Sequence, residues 1–325
     1  MPQTISNNII FTEKEPYEKG FSVIFDQYIK PKLQSLEEKR VELEKKYTQR
    51  KIISIPVIAG ITGVFGVLLA LGILPIDRLP VFLYILAITG VLWWMRGPVR
   101  EYTRLAKENI IPEVLRFFGD FVYSVDDGIE PQILQQSRIM PTYDHYDHED
   151  YLKGTYKNVF IEMNEANLRV KRGKHTSTVF KGQLIHFVLN KKFTGQTIVT
   201  TDSGKLGNFL GSLFSGMKKV GLEDPKFEAM FEVRGTDQIE ARYLLTTAFM
   251  ERLINLSELY QNHKIQCSFF DNTLFISIPS TLNLFEPGPI GVSVYDTDSI
   301  HTFLKQMHYV FDIANQLKLT STTGL

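Results

Sequence analysis

The chain has 325 residues, with 36 Lys+Arg against 36 Asp+Glu and a net charge of zero, so it lacks the general cationic surface by which a protein coats nucleic acid. Apolar residues make up 44% and aromatics 12%, which is ample core material for about two domains and excludes a largely disordered chain. A lone cysteine, Cys267, excludes an internal disulfide and a cysteine-cluster zinc site.

Residues 13–50 read as helix. Phe21, Ile24, Phe25, Tyr28 and Ile29 form one apolar stripe, and Leu33, Leu36, Leu43 and Tyr47 continue it after Pro31. Pro31 is expected to kink or split that helix. The half after it is dominated by charge and predicts a solvated or loosely coiled stalk.

From Ile52 to Leu74 run 23 residues without a charge. At about 1.5 Å per residue they give roughly 34 Å of helix, against a hydrocarbon core of about 30 Å. Leu79–Met95 is a second apolar run of 17 residues, separated from the first by Pro75–Arg78. The pair predicts a transmembrane hairpin, the alternative being a buried soluble one. Lys45, Lys46, Arg50 and Lys51 precede the first span and Arg96, Arg100, Arg104 and Lys107 follow the second, so the positive-inside rule puts both termini in the cytoplasm. Trp93 and Trp94 beside Arg96 fit an interfacial aromatic belt. Within the first span Thr62, Gly66 and Ala70, and Ala59 and Gly63, recur every four residues. That spacing serves close packing inside the hairpin or against a second copy.

Tyr102–Val125 reads as helix broken by Pro112, followed by a polar linker with Gly128, Pro131 and Pro141. From about Tyr151 the apolar period changes from 3.6 to 2. Segments 157–163, 166–171, 178–189, 196–201 and 227–234 predict strands. A long helix is expected over 237–261, capped by Asp237 with Glu240 three residues on. A hairpin around Asp271-Asn272 and an amphipathic helix over 298–318 close the chain. The order is α+β, and the expected architecture is a barrel or half-barrel of antiparallel strands covered by two long helices. The expected organisation is a stalk (1–51), a membrane hairpin (52–95), a juxtamembrane helix and linker (96–150) and a cytoplasmic α+β domain (151–325).

Three stretches carry candidate chemistry. Asp144–Asp150 packs two histidines and four carboxylates into seven residues, so His145, Asp147, His148 and Asp150 are candidate ligands for a divalent cation, the alternative being a solvated linker. The glycine-rich 203–216 fails the phosphate-loop pattern, because Lys205 is followed by leucine. It does carry Leu206, Phe209, Leu210, Leu213 and Phe214 on one helical face, either for lying on lipid headgroups or for docking on the domain. Asp237, Glu240 and Arg242 suggest acid–base work or, more simply, helix capping with an ion pair. No pattern points to a cofactor.

The blocks Glu149-Asp150-Tyr151-x-x-Gly154, Phe180-Lys181-Gly182, Phe231-x-Val233-x-x-x-Asp237-x-x-Glu240-Ala241-Arg242-x-Leu244-Leu245-Thr246-x-x-Phe249-Met250 and Leu274-Phe275-Ile276-x-Ile278-Pro279 resemble an uncharacterised bacterial membrane-protein family, domain of unknown function 3137. The resemblance implies a bacterial inner membrane and no particular reaction. The functional expectation is a two-span membrane protein that presents a cytoplasmic binding domain to a protein partner or to the membrane surface, with the first span as a route to homo-oligomers. The alternative is a membrane-associated enzyme, metal-dependent in one form, with a site near 144–150 or 237–242.

Overall fold

The computed structural model describes residues 9–74, 78–201, 214–260, 264–280 and 286–322. They fall into two compact units. One takes its residues from Met1–Thr12, Phe25–Ile110 and Glu286–Ser299, the other from Glu13–Ile24, Ile111–Phe285 and Ile300–Leu325.

The first unit is helical. A π-helical turn, Phe25–Ile29, leads into helix α2 (Lys30–Ala70), the short α1 being Phe21–Ile24 of the other unit. Pro31 lies in the first turn of α2, where a missing N–H costs nothing. The expected break therefore falls one turn earlier, at the π-helical turn. The charged half of α2 is no free stalk. Leu33, Leu36 and Leu43 are buried, and so is Arg40, whose guanidinium bonds both oxygens of Glu37, Glu44 and the Ile290 carbonyl. Glu37 also accepts from the Val294 amide at 3.0 Å. Burial pushes the Glu37 carboxyl up, but Arg40 and the amide outweigh it and hold it below the usual range. Segment 286–299 thus docks on α2 through a buried ion pair that sequence periodicity cannot show. Helix α3 (Arg78–Met95) returns along the apolar half of α2, and α4 (Gly97–Leu115) follows, passing through Pro112 without ending.

The second unit is built on one nine-stranded antiparallel sheet. Its strands are β1 (Phe121–Ser124), β2 (His145–Tyr156), β3 (Val159–Arg172), β4 (His175–Val188), β5 (Thr197–Thr201), β6 (Lys218–Lys219), β7 (Phe231–Gly235), β8 (Gln266–Phe270) and β9 (Thr273–Pro279). The order is β1-β2-β3-β4-β9-β8-β5-β7-β6. The α+β expectation stands, whereas the barrel does not: β1 and β6 are edges, with no pairing between them among the described residues.

Several boundaries differ from the sequence reading. The expected domain start at 151 falls inside β2, and residues 121–124, read as helix, are β1. Segments 157–163 and 166–171 join in β3, because the polar residues between them, Asn164 and Glu165, are buried within the strand rather than marking a turn. Residues 225–230 form helix α6, capped by Asp224, which accepts from the Phe227 amide at 3.0 Å; only Phe231–Gly235 is strand. The long helix splits into α7 (Gln238–Leu244) and α8 (Thr247–Leu259), because Thr246 recaps the chain by accepting from the Phe249 amide.

The sheet is covered on both faces. Helix α5 (Pro131–Ser137) and the 214–217 turn cover one face, in a core with Leu168, Phe180, Leu184, Ile198 and Phe275. On the other, Phe249 of α8 packs on Phe269 at 5.4 Å, and Phe311 of α9 (Asp298–Thr322) meets Tyr156 at 4.4 Å and Phe121 at 5.4 Å.

Candidate functional site

An extended apolar surface is exposed on the α2–α3 hairpin. No residue of α3 is buried, and Ile53, Ile55, Val64, Val67, Leu71, Phe82, Leu83 and Ile85 are all exposed. Both helices are long and apolar enough to cross a membrane. They meet through Phe65 stacked on Tyr84 at 4.4 Å and through Thr62 Oγ1 and Tyr84 Oη at 3.1 Å. A Cβ built on Gly60, Gly63 or Gly66 would touch nothing within 4 Å, so those glycines are not spent on closeness to α3. Between the helices runs an apolar groove of about 450 Å³ lined by Ile61, Phe65, Leu68, Leu83 and Tyr84.

At one end of the hairpin Trp93 and Trp94 are each stacked with an arginine. Trp93 is 69% and Trp94 41% exposed. Arg100 lies 4.6 Å from the Trp93 ring and donates to the Trp93 carbonyl at 2.9 Å; Arg50 lies 4.9 Å from the Trp94 ring and donates to the Trp94 carbonyl at 2.7 Å. Each arginine therefore stacks on an indole while closing a helix-terminal carbonyl.

The candidate metal ligands do not converge. Residues 145–150 are the start of β2 rather than a loop, and a strand turns successive side chains to opposite faces. His145 and Asp147 face one way and His148 the other, while Asp147 pairs with Arg169 at 2.8 Å. Asp150 sits at positive φ (55°) where the β2–β3 register shifts; it is buried and accepts from Tyr123 Oη at 2.5 Å. Among the described residues no group of three His, Cys, Asp or Glu side chains is placed to hold a metal ion. The run is instead part of β2 where only β3 pairs with it, and charge on an unpaired edge discourages strand addition. A polar recess of about 260 Å³ opens beside it, with Asp147, Glu149, Glu165 and Asn167 facing Lys181.

Asp237 caps α7, accepting from the Ile239 and Glu240 amides at 2.8 and 3.1 Å. Glu240 does not reach back to it. Its two oxygens take the amides of Thr194 at 2.8 Å and Gly195 at 2.9 Å, and Arg242 donates to the Gly221 carbonyl at 3.3 Å rather than to either acid. The trio fastens loops. Of the candidate interfacial residues, Phe214 is buried at 7% exposure, packed in the core and under Arg234 at 4.5 Å; Leu206, Phe209, Leu210 and Leu213 lie outside the described residues. Cys267 is buried in β8, and burial pushes its thiol well up.

Two buried carboxylate–histidine pairs were not visible in the sequence. In the sheet, Glu162 accepts from Tyr151 Oη at 2.5 Å and holds His186 Nδ1 at 2.6 Å, while His186 Nε2 reaches Thr273 Oγ1 at 3.2 Å. Burial raises the Glu162 carboxyl, but the bonds from His186 and Tyr151 outweigh it and leave the group below the ordinary range. Near the chain ends, buried Glu18 meets His301 Nδ1 at 2.6 Å and accepts from the Lys14 and Glu15 amides. The partners are 24 and 283 residues apart, too far along the chain for any local spacing to pair them.

No curated protein matches the sequence. Among solved structures, the crystal structure of the mycobacterial trehalose monomycolate transport factor A, TtfA, is similar at 10% identity with a TM-score of 0.35, covering 61% of this chain and 92% of that one. Residues 178–319 match the model of a family described as protein of unknown function, DUF3137. They span most of β4 to most of α9 and include three of the four sequence blocks noted above, so the likeness to that family covers this segment of the chain.

Proposed function

We propose that this chain is a two-span integral membrane protein of a bacterial inner membrane that holds its α+β unit at the cytoplasmic face as a binding module. The exposed apolar hairpin carries the reading: α3 buries none of its residues, and exposing that much apolar surface to water would be unfavourable at about 25 cal/mol per Å². The arginine-stacked Trp93 and Trp94 mark the inner interface in this reading. Both termini then lie on the cytoplasmic side. The open Gly63 and Gly66 favour a second copy over α3 as the partner of the small-residue face. A binding role is favoured over an enzymatic one by the uses found for Asp237, Glu240, Arg242 and Asp147, each committed to a cap, a loop or an ion pair.

The test is extraction and topology. Membranes from cells expressing the chain should retain it through alkaline carbonate and release it only with detergent. A cysteine placed at Ser321 should stay unlabelled by an impermeant maleimide in intact cells. Release by carbonate, or labelling from outside, would sink the reading.

A further inference from the structure

Strands β3 and β4 run on past their neighbours. The β2 ladder begins at His145 opposite Arg169, and the β9 ladder ends at Pro279 opposite Gly182. Val170–Arg172 and His175–Ser177 therefore have only each other as ladder partners among the described residues. The result is a two-stranded ribbon in which every residue from Lys171 to Thr178 is exposed. A ribbon of two strands contributes little stability by itself. Its turn, Gly173 at φ +63° followed by Lys174, concentrates charge.

Lys171, Arg172 and Lys174, with His175 beside them, put three fixed cations and a titratable one into five residues. None of the three cations has an ion-pair partner among the described residues. The nearby acids are already used: Asp147 pairs with Arg169 at 2.8 Å, and Asp144 accepts from the Lys171 backbone amide at 2.6 Å. No Phe, Tyr or Trp lies between Arg169 and Thr178, so the ribbon lacks the large aromatic platforms on which successive bases stack, and has no aromatic wedge for insertion into a lipid core.

We propose that the Lys171–His175 tip binds the anionic headgroups of a lipid bilayer by surface electrostatics. The inference rests on the membrane reading above, because the two spans keep the α+β unit tethered to a bilayer and turn tip binding into an intramolecular event. Basic residues near an anionic leaflet each strengthen binding severalfold, and three together on the order of 100-fold.

The buried Cys267 leaves a cysteine introduced at Ser177 as the accessible thiol among the described residues. The full chain with Ser177→Cys, labelled with a polarity-sensitive dye, is reconstituted into phosphatidylcholine vesicles with and without phosphatidylglycerol. Flotation of the chain with both vesicle types reports the membrane reading. A blue shift and quenching by brominated lipid in phosphatidylglycerol vesicles alone reports the tip. That signal should disappear in about 0.5 M salt, where screening shortens to a few Å, and in the triple variant Lys171→Glu, Arg172→Glu, Lys174→Glu. Flotation without any dye response in anionic vesicles overturns the tip proposal and leaves the membrane reading standing. A response to added RNA or to an acidic polypeptide, but not to anionic lipid, also overturns it. Failure to float defeats the reading beneath it.

Discussion

Replacing Glu162 with glutamine removes one negative charge from the buried chain that links β2, β3, β4 and β9. Glu162 accepts two bonds, from Tyr151 Oη at 2.5 Å and from His186 Nδ1 at 2.6 Å. As an ionised carboxylate it is acceptor only, so the His186 Nδ1–H donates to it, while Nε2 lies 3.2 Å from the Thr273 hydroxyl. A glutamine offers one acceptor oxygen and turns an N–H donor toward the other partner. Tyr151 and His186 are about 6% and 5% exposed, so the partner left without an acceptor is not rescued by bulk water. Stranding a buried donor costs about 1–3 kcal/mol, and loss of the charge assistance on the surviving bond adds to it. The sum is about 3 kcal/mol, which for a folding unit of this size lowers the melting temperature by roughly 6–12 °C. The sign of the pH dependence follows from the depressed Glu162 value: the stabilisation is complete above the ordinary glutamate range of about 4.3 and is lost as pH falls through the lower folded value. Far-ultraviolet circular dichroism melts of the detergent-solubilised chain at pH 7 and at pH 3–4, wild type against Glu162→Gln, should show a gap that narrows in acid. A gap under about 2 °C at pH 7, or one that stays constant into acid, would refute the assignment of Glu162 as an ionised anchor.

Other changes probe separate parts of the structure. A Cβ at Gly182 would run into the Ile278 carbonyl of β9, so Gly182→Ala should cost about 1–3 kcal/mol by forced separation of β4 from β9, read as a lower melting temperature. Phe275→Ala empties a fully buried site between the sheet and α5 and should cost about 3–5 kcal/mol; a loss under about 1 kcal/mol would mean that the core is misplaced. Asp237→Ala removes the α7 cap for about 1 kcal/mol, with Asp237→Asn close to wild type. Gly63→Leu with Gly66→Leu should leave the hairpin folded, since nothing lies within 4 Å of either added Cβ, yet reduce the dimer fraction in light scattering of the detergent complex.

Some of this was legible from composition and spacing because it depends only on neighbours along the chain. The two apolar runs at 52–74 and 79–95, the tryptophans between them and the arginines, the Asp237 cap and the Asp271-Asn272 hairpin turn are local patterns, and α3, α7 and the β8–β9 pair lie where those patterns put them. What needed the tertiary structure is what joins distant residues. The 144–150 acids and histidines read as one cluster because they are adjacent in sequence, but a strand sends neighbours to opposite faces, and β2 dissolves the cluster. The charged half of α2 read as a solvated stalk because Arg40 and Glu37 are hydrophilic, and only residues 286–299, some 250 positions away, show that the pair is buried and bonded. Sequence fixes the propensity of each segment for helix, strand or apolar surroundings, through steric and hydrophobic preferences that act within a turn or two. Which strand lies beside which, and which carboxylate meets which histidine, is decided when the sheet closes its register, and that choice assembled Glu162, His186, Tyr151 and Thr273 from four strands into one buried chain.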